Sequence, residues 1–187
     1  MGKPEPFADL RAAIAASLAS AQGAGRLAAS TAAPRRHLAV LACMDARLDP
    51  LRLFDLVPGE AHMLRNAGGR FTPDAHRSLI LSTRRLGVRR AVIVHHTDCG
   101  LQGLNECALR AELGLDGARP LRFEGFDPFT DLEASLRQDM ARLRAAPYLP
   151  PDLALLGCLY DVHREAITLV VEDLPPEGPA AAFGPAR

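Results

Sequence analysis

Three side chains occupy places where metal chemistry is possible. Cys43 closes one apolar run, and His96 and Cys99 follow another in the order His-x-x-Cys, 53 and 56 residues further along. Two thiolates and one imidazole suit zinc, and a set of three leaves the fourth tetrahedral position for water or substrate, as catalytic zinc sites do. Asp45 and Arg47 lie two and four residues beyond Cys43 and project around the same cavity. A carboxylate there either accepts a hydrogen bond from the metal's water or displaces it as a fourth ligand, and a bidentate ion pair with Arg47 decides between the two. After Cys99, Gly100 offers a backbone N–H with no side chain in the way, beside a helix start at Leu101, which suits a small anion.

Such residues need a frame that brings positions 43 and 96 together. In an open α/β sheet, ligands bind beyond the carboxyl ends of the strands, where neighbouring connections diverge. The run HLAVLACM (37–44) reads as a strand buried on both faces. A short helix over 50–56 and a Pro58-Gly59 turn follow, then a second strand, AHMLRN. Thr72 and Pro73 suit the N-cap and first turn of a helix that runs to Leu86 and is ended by Gly87; AVIVHHT is the third strand. The alternation predicts a single α/β domain with a central, mostly parallel sheet flanked by helices. Residues 101–113 read as helix, and 114–128 hold too much Gly and Pro for regular structure. Thr130 and Glu133 form a capping box for a helix whose apolar stripe is Phe129, Leu132, Leu136, Met140 and Leu143. LALLGCLYDV and AITLVV then make a hairpin around His163-Arg164-Glu165. Phe7, Leu10, Ile14 and Leu18 fall at helical spacing. The expected organisation is a helical arm over 1–36, a metal-binding α/β domain over 37–173 and a loose tail over 174–187.

The composition narrows the partners. The chain has 187 residues with 22 basic and 22 acidic side chains, so it lacks the basic footprint of a nucleic-acid binder. Lys3 is the only lysine among the 22 basic residues, a bias of genome composition. Four cysteines, with no Cys-x-x-Cys pair, are too sparse for a disulfide scaffold. No segment reaches the roughly 20 apolar residues of a membrane span and no targeting signal is evident, so a cytoplasmic, membrane-free protein is expected.

Three motifs together, Cys43-Met44-Asp45-Ala46-Arg47, Arg65-Asn66-Ala67-Gly68-Gly69 and His96-Thr97-Asp98-Cys99-Gly100, resemble the β-class carbonic anhydrases, and most of all their small actinobacterial members. With the strand and helix order, the resemblance spans about residues 37–171. It implies that Cys43, His96 and Cys99 bind Zn2+, that Asp45 and Arg47 are the catalytic dyad with Asp45 a possible fourth ligand, and that Arg65 and Asn66 shape the dimer-facing side of a substrate pocket that also holds the anion position read at Gly100. The implied reaction is hydration of carbon dioxide to bicarbonate and a proton by zinc-bound hydroxide, in a homodimer or a higher multiple of dimers. Many plant-like members carry a glutamine nine residues before the first cysteine, and Pro34 stands there in this chain. Carbonyl sulfide and carbon disulfide hydrolases use the same scaffold and ligands, and a non-catalytic zinc-binding or sensing module is the reading from outside enzymology.

The remaining candidates read as structural. Cys107 falls on a predicted helix and Cys158 within a predicted strand, without metal-like company. Alternation along the third strand points His95 away from His96, which makes it a packed or hydrogen-bonded histidine rather than a proton shuttle. His37, His62, His76 and His163 have no metal-like spacing. Gly68-Gly69 is followed by neither Lys-Ser nor Lys-Thr, so a phosphate loop is not expected.

Overall fold

The computed structural model describes residues 31–115 and 125–175, together with Leu10. The expected N-terminal helix, apart from Leu10, and most of the expected C-terminal tail lie outside the described residues. In chain order the elements are β1 (Leu38–Cys43), α1 (Pro50–Leu53), β2 (Ala61–Asn66), a 3-10 turn (Ala67–Gly69), α2 (Pro73–Arg84), β3 (Arg90–His96), α3 (Glu106–Glu112), α4 (Leu132–Ala145), β4 (Ala154–Asp161) and β5 (Ala166–Asp173).

The five strands form one sheet in the order β2-β1-β3-β4-β5, with β1 parallel to β2 and β3, β3 parallel to β4, and β5 antiparallel to β4. Every residue of β1 is buried, which accounts for its unbroken apolar run. Side chains alternate between two cores. Val40, Ala42, Val92 and Val94 face α1, whose residues Leu51 and Leu53 pack against them. Ala39, Leu41, Ala91 and Ile93 face the other way, onto Ala75 and Leu79 of α2 and Leu136, Met140 and Leu143 of α4. The chain leaves β1 toward one edge and β3 toward the other, so the carboxyl ends of β1 and β3 flank the point where the connections diverge. Among the described residues, no helix is long and apolar enough to cross a membrane.

Three local expectations are corrected. Only Glu106–Glu112 of the expected 101–113 helix is helical. Gly103 adopts φ 73°, its N–H donates to Phe129 O at 2.7 Å, and the Asn105 side chain caps α3 by accepting from the Ala108 N–H. The N-cap of α4 is Asp131 rather than Thr130: its carboxylate accepts from the Ala134 N–H at 2.8 Å. Asp at this position also faces the positive end of the helix. Helix α2 ends at Arg84, one turn's fraction before the expected Leu86, and Gly87 takes the left-handed φ of 73° that turns the chain back toward β3. The expected hairpin is present as β4 and β5.

Candidate metal centre

Parallel pairing places Cys43, the last residue of β1, opposite Asn66, the last of β2, while His96 ends β3 on the other side. Cys99 returns to the same point through a turn in which Asp98 holds φ 56°. The result is a buried cluster: one ligand atom from each of Cys43, His96 and Cys99, all within 4.8 Å of one another. A single ion at ~2.0–2.3 Å from each atom is matched by this span after small side-chain adjustments.

The donor chemistry fits zinc. His96 Nδ1 lies 2.8 Å from the carbonyl of Thr97, which only accepts, so that nitrogen carries the proton and Nε2 keeps its lone pair. Nε2 is buried without a hydrogen-bond partner, an arrangement that costs free energy unless something electrophilic faces it. The two sulfurs act on each other. Cys99 beside it, against the opposing effect of burial, brings the Cys43 thiol down to about 4; His96 and the backbone N–H groups of Asp45 and Gly68 push the same way. The Cys99 thiol is raised, because it shares its proton with Cys43 and is buried. Burial alone would lower the pKa of His96, but the Cys43 sulfur beside it leaves the ring raised. The cluster is therefore electron-rich and already part-ionised, as a cation site requires.

Beside it, Asp45 is fully engaged with Arg47. Oδ1 accepts from the Arg47 backbone N–H at 2.9 Å and from Nε at 3.0 Å, and Oδ2 accepts from Nη2 at 2.8 Å. This fork holds the Asp45 carboxyl well below the usual carboxylate range and raises Arg47. Oδ2 stands 4.0 Å from His96 Nε2, so the carboxylate borders the cluster without joining it. The other edge of Arg47 donates to Asp98: Nη1 to Oδ2 at 2.7 Å and Nη2 to the backbone carbonyl at 2.9 Å. Arg47 lowers the Asp98 carboxyl as well.

The other expected pocket residues have definite places. Arg65 reaches from β2 under the turn that follows β1, donating from Nε to Cys43 O at 2.9 Å and from Nη2 to Asp45 O at 2.6 Å. Asn66 Nδ2 donates to Arg70 O at 2.8 Å and to Thr72 Oγ1 at 3.3 Å, leaving Oδ1 buried without a partner. Gly100 is exposed, with open space where a side chain would stand. A separate cavity of about 750 Å³, lined by Asn66, Ala67, Arg70, Thr72 and Asp127 among others, shares only Asn66 with the residues named for the site.

Two features escaped the sequence reading. Asp98 lies inside the His-x-x-Cys motif, and an acidic residue beside two candidate ligands was the available signal, although its reach to Arg47, 51 residues away, was not legible. The buried network behind the site had none: His95 lies 2.9 Å from Ser135 Oγ and 3.4 Å from Asp139, and Asp139 accepts from Arg70. His95 does point away from the cluster, as alternation required.

Comparison with known proteins agrees with this geometry. The carbonic anhydrase family profile matches residues 38–112. Beta-carbonic anhydrase 1 of Mycobacterium tuberculosis is 38% identical over 130 residues, covering 69% of this chain and 78% of that protein. A carbon disulfide hydrolase of Acidithiobacillus thiooxidans is 46% identical over 148 residues, covering 68% of this chain and 74% of that protein. The crystal structure of a carbonic anhydrase from Streptococcus mutans superposes with a TM-score of 0.77 at 35% identity, covering 90% of this chain and all of the other.

Proposed function

The chain belongs to the β-carbonic anhydrase family, a family of zinc enzymes, and from that premise we propose that it interconverts carbon dioxide and bicarbonate, with Cys43, His96 and Cys99 as the zinc ligands. The observation that carries this reading is the orientation of Asp45. Its carboxylate is turned to Arg47 by three N–H donors and stays outside the three-ligand cluster, leaving a fourth position for chemistry.

Zinc, when bound, supplies acidified water, whose pKa of 15.7 falls to about 7 in the best-studied zinc hydratase, and so a nucleophile near neutral pH. The protein's own groups do the rest. His96 presents Nε2 because Thr97 O fixes its tautomer. Asp45, held ionised by Arg47, only accepts hydrogen bonds at neutral pH, and its Oδ2, 4.0 Å from His96 Nε2, would accept an O–H from a nucleophile held beside the cluster and so orient it. Arg65 pins the carbonyls of Cys43 and Asp45, fixing the turn that carries both. Gly100, exposed with open space beside it, would receive the anionic product, whereas Asn66 has its amide N–H groups engaged by Arg70 O and Thr72 Oγ1 and offers only an accepting oxygen. Hydration of carbon dioxide leaves bicarbonate and one proton, which passes to solvent.

A second reading, hydrolysis of carbon disulfide or carbonyl sulfide, has its own support in the Acidithiobacillus relative. The test is zinc stoichiometry together with initial rates on carbon dioxide, carbonyl sulfide and carbon disulfide. The expected result is one zinc per chain and carbon dioxide hydration well above the buffer rate between about pH 6 and 9. A zinc-loaded protein that hydrates carbon dioxide no faster than buffer but releases hydrogen sulfide from a sulfur substrate transfers the assignment to the second reading. We further propose a cytoplasmic dimer or multiple of dimers, which a solution mass measurement checks.

A further inference from the structure

We propose that Asp98 is a positioning residue: by gripping the outer edge of Arg47 it keeps Asp45 turned to Arg47 and away from the metal. The inference rests on the zinc reading above and adds to it a residue outside both the ligand set and the dyad. Arg47 uses every edge of its guanidinium. Nε and Nη2 hold the two oxygens of Asp45, while Nη1 and a second bond from Nη2 go to Asp98 Oδ2 and Asp98 O, at 2.7 and 2.9 Å. Nothing else among the described hydrogen bonds holds that guanidinium, and the Arg47 side chain is 45% exposed, so without the Asp98 carboxylate its outer edge would keep only the Nη2 bond to the backbone carbonyl of residue 98.

Restraint matters because the distance is short. Asp45 Oδ2 is 4.0 Å from the ligand atom of His96, close enough that a carboxylate free to rotate competes for the open position. Asp98 also acts from a set place. It sits between His96 and Cys99 with its backbone at φ 56°, a conformation that Asp tolerates better than most residues, and there its own carbonyl and carboxylate both face Arg47. The turn that delivers Cys99 to the cluster therefore also sets the position of Arg47. Asp98 lies outside the three-residue ligand cluster.

The experiment uses cobalt(II)-loaded protein, whose visible d–d bands report the ligands of the metal independently of activity. Asp98→Ala is expected to move the bands at pH 7 away from wild type and toward those of Arg47→Ala, as Asp45 enters the coordination sphere. In the Asp45→Ala background the same substitution should change nothing, because the carboxylate that would move is gone. Activity of the zinc form should fall ~10-fold in kcat with little change in KM, the scale of losing an outer-shell partner. Asp98→Asn, which keeps an acceptor and tolerates the backbone, should recover most of both readouts and serves if the alanine variant does not fold. An Asp98→Ala spectrum superposable on wild type, or a change that persists undiminished without Asp45, overturns the proposal alone. A wild-type protein that binds cobalt without thiolate-to-metal charge transfer overturns the ligand assignment as well.

Discussion

Arg70 and Asp139, 69 residues apart, meet in the core with Nε 2.7 Å from Oδ2, and both side chains are almost fully excluded from solvent. Arg70 immediately follows the 3-10 turn that ends at Gly69, and Asp139 lies on α4, so the pair ties that turn to the helix across the face of β3 opposite the metal cluster. Asp139 also accepts the Phe71 N–H at 3.2 Å, and Arg70 donates to Asp127 O at 2.8 Å, which satisfies much of what burial would leave unpaired.

Breaking that pair by one partner leaves a buried charge. Asp139→Ala is expected to cost about 3–5 kcal/mol in urea unfolding, more than Arg70→Met with Asp139→Leu together. The pH dependence follows from the same contacts. Burial works against the Asp139 carboxylate, but the His95 ring 3.4 Å away and the hydrogen bond from Arg70 leave its pKa lowered. A depressed folded pKa contributes stability that is complete above the unfolded value near 4 and is lost as pH falls through the folded one. The stability gap between wild type and Asp139→Asn should therefore be constant above about pH 5 and shrink below about pH 4. A gap that is unchanged at pH 3 contradicts the assignment.

Gly69 is the residue on which the ligand cluster closes. It sits at φ 65° with its backbone wedged between the ends of β1 and β3, where an added Cβ would lie 2.8 Å from Val94 O and 2.9 Å from Cys43 N. Both obstacles are backbone, so relief requires the strand ends to separate. Gly69→Ala should lose about 1–2 kcal/mol for the left-handed backbone alone, and more from the collision. Because the collision is at Cys43, zinc content after equilibration with a competing chelator should fall as well. An alanine variant with normal zinc retention would show that the strand ends adjust freely.

The fold and the centre of the site were legible for a common reason: their signals are local. The apolar runs ending at Cys43 and His96 marked two buried strands, and the doubly wound rule placed their ends side by side. What escaped depends on distant partners. Arg70 and Asp139 each look like ordinary surface charges until α4 folds over β3, and Asp131 displaced Thr130 as the cap of α4 because the entry angle of the chain decides which oxygen meets the Ala134 N–H. Residues 101–105 read as helix by composition, yet the Gly103 N–H is taken by Phe129 O, a contact made by a segment 26 residues away.

The roles of ligand and dyad separate by substitution. Cys43→Ser should lose most of its zinc, because a hydroxyl at that position is neither ionised nor soft. Asp45→Asn should keep zinc, since Asp45 stands outside the three-atom cluster, while losing about 10²-fold or more in kcat. Its amide also presents donors to Arg47, where Asp45 presents two accepting oxygens. Full zinc in the serine variant sinks the ligand assignment; full activity in the asparagine variant sinks the role given to Asp45.

The four thiols should react in three classes, and the order tests the metal site without measuring catalysis. Cys107 lies exposed on α3, whereas Cys43, Cys99 and Cys158 are buried. Burial pushes the Cys158 thiol up to about 11, which keeps it protonated and unreactive at neutral pH. Cys43 has the opposite character: its pKa is lowered to about 4, so once uncovered it is a thiolate. In zinc-loaded protein an aromatic disulfide reagent should therefore modify Cys107 alone at an appreciable rate. Adding a chelator should open Cys43 and Cys99, with Cys43 attacked first, and Cys158 should respond only under denaturing conditions. Peptide mapping of the labelled protein gives the order directly. Equal labelling with and without chelator would mean that the cysteine cluster carries no metal.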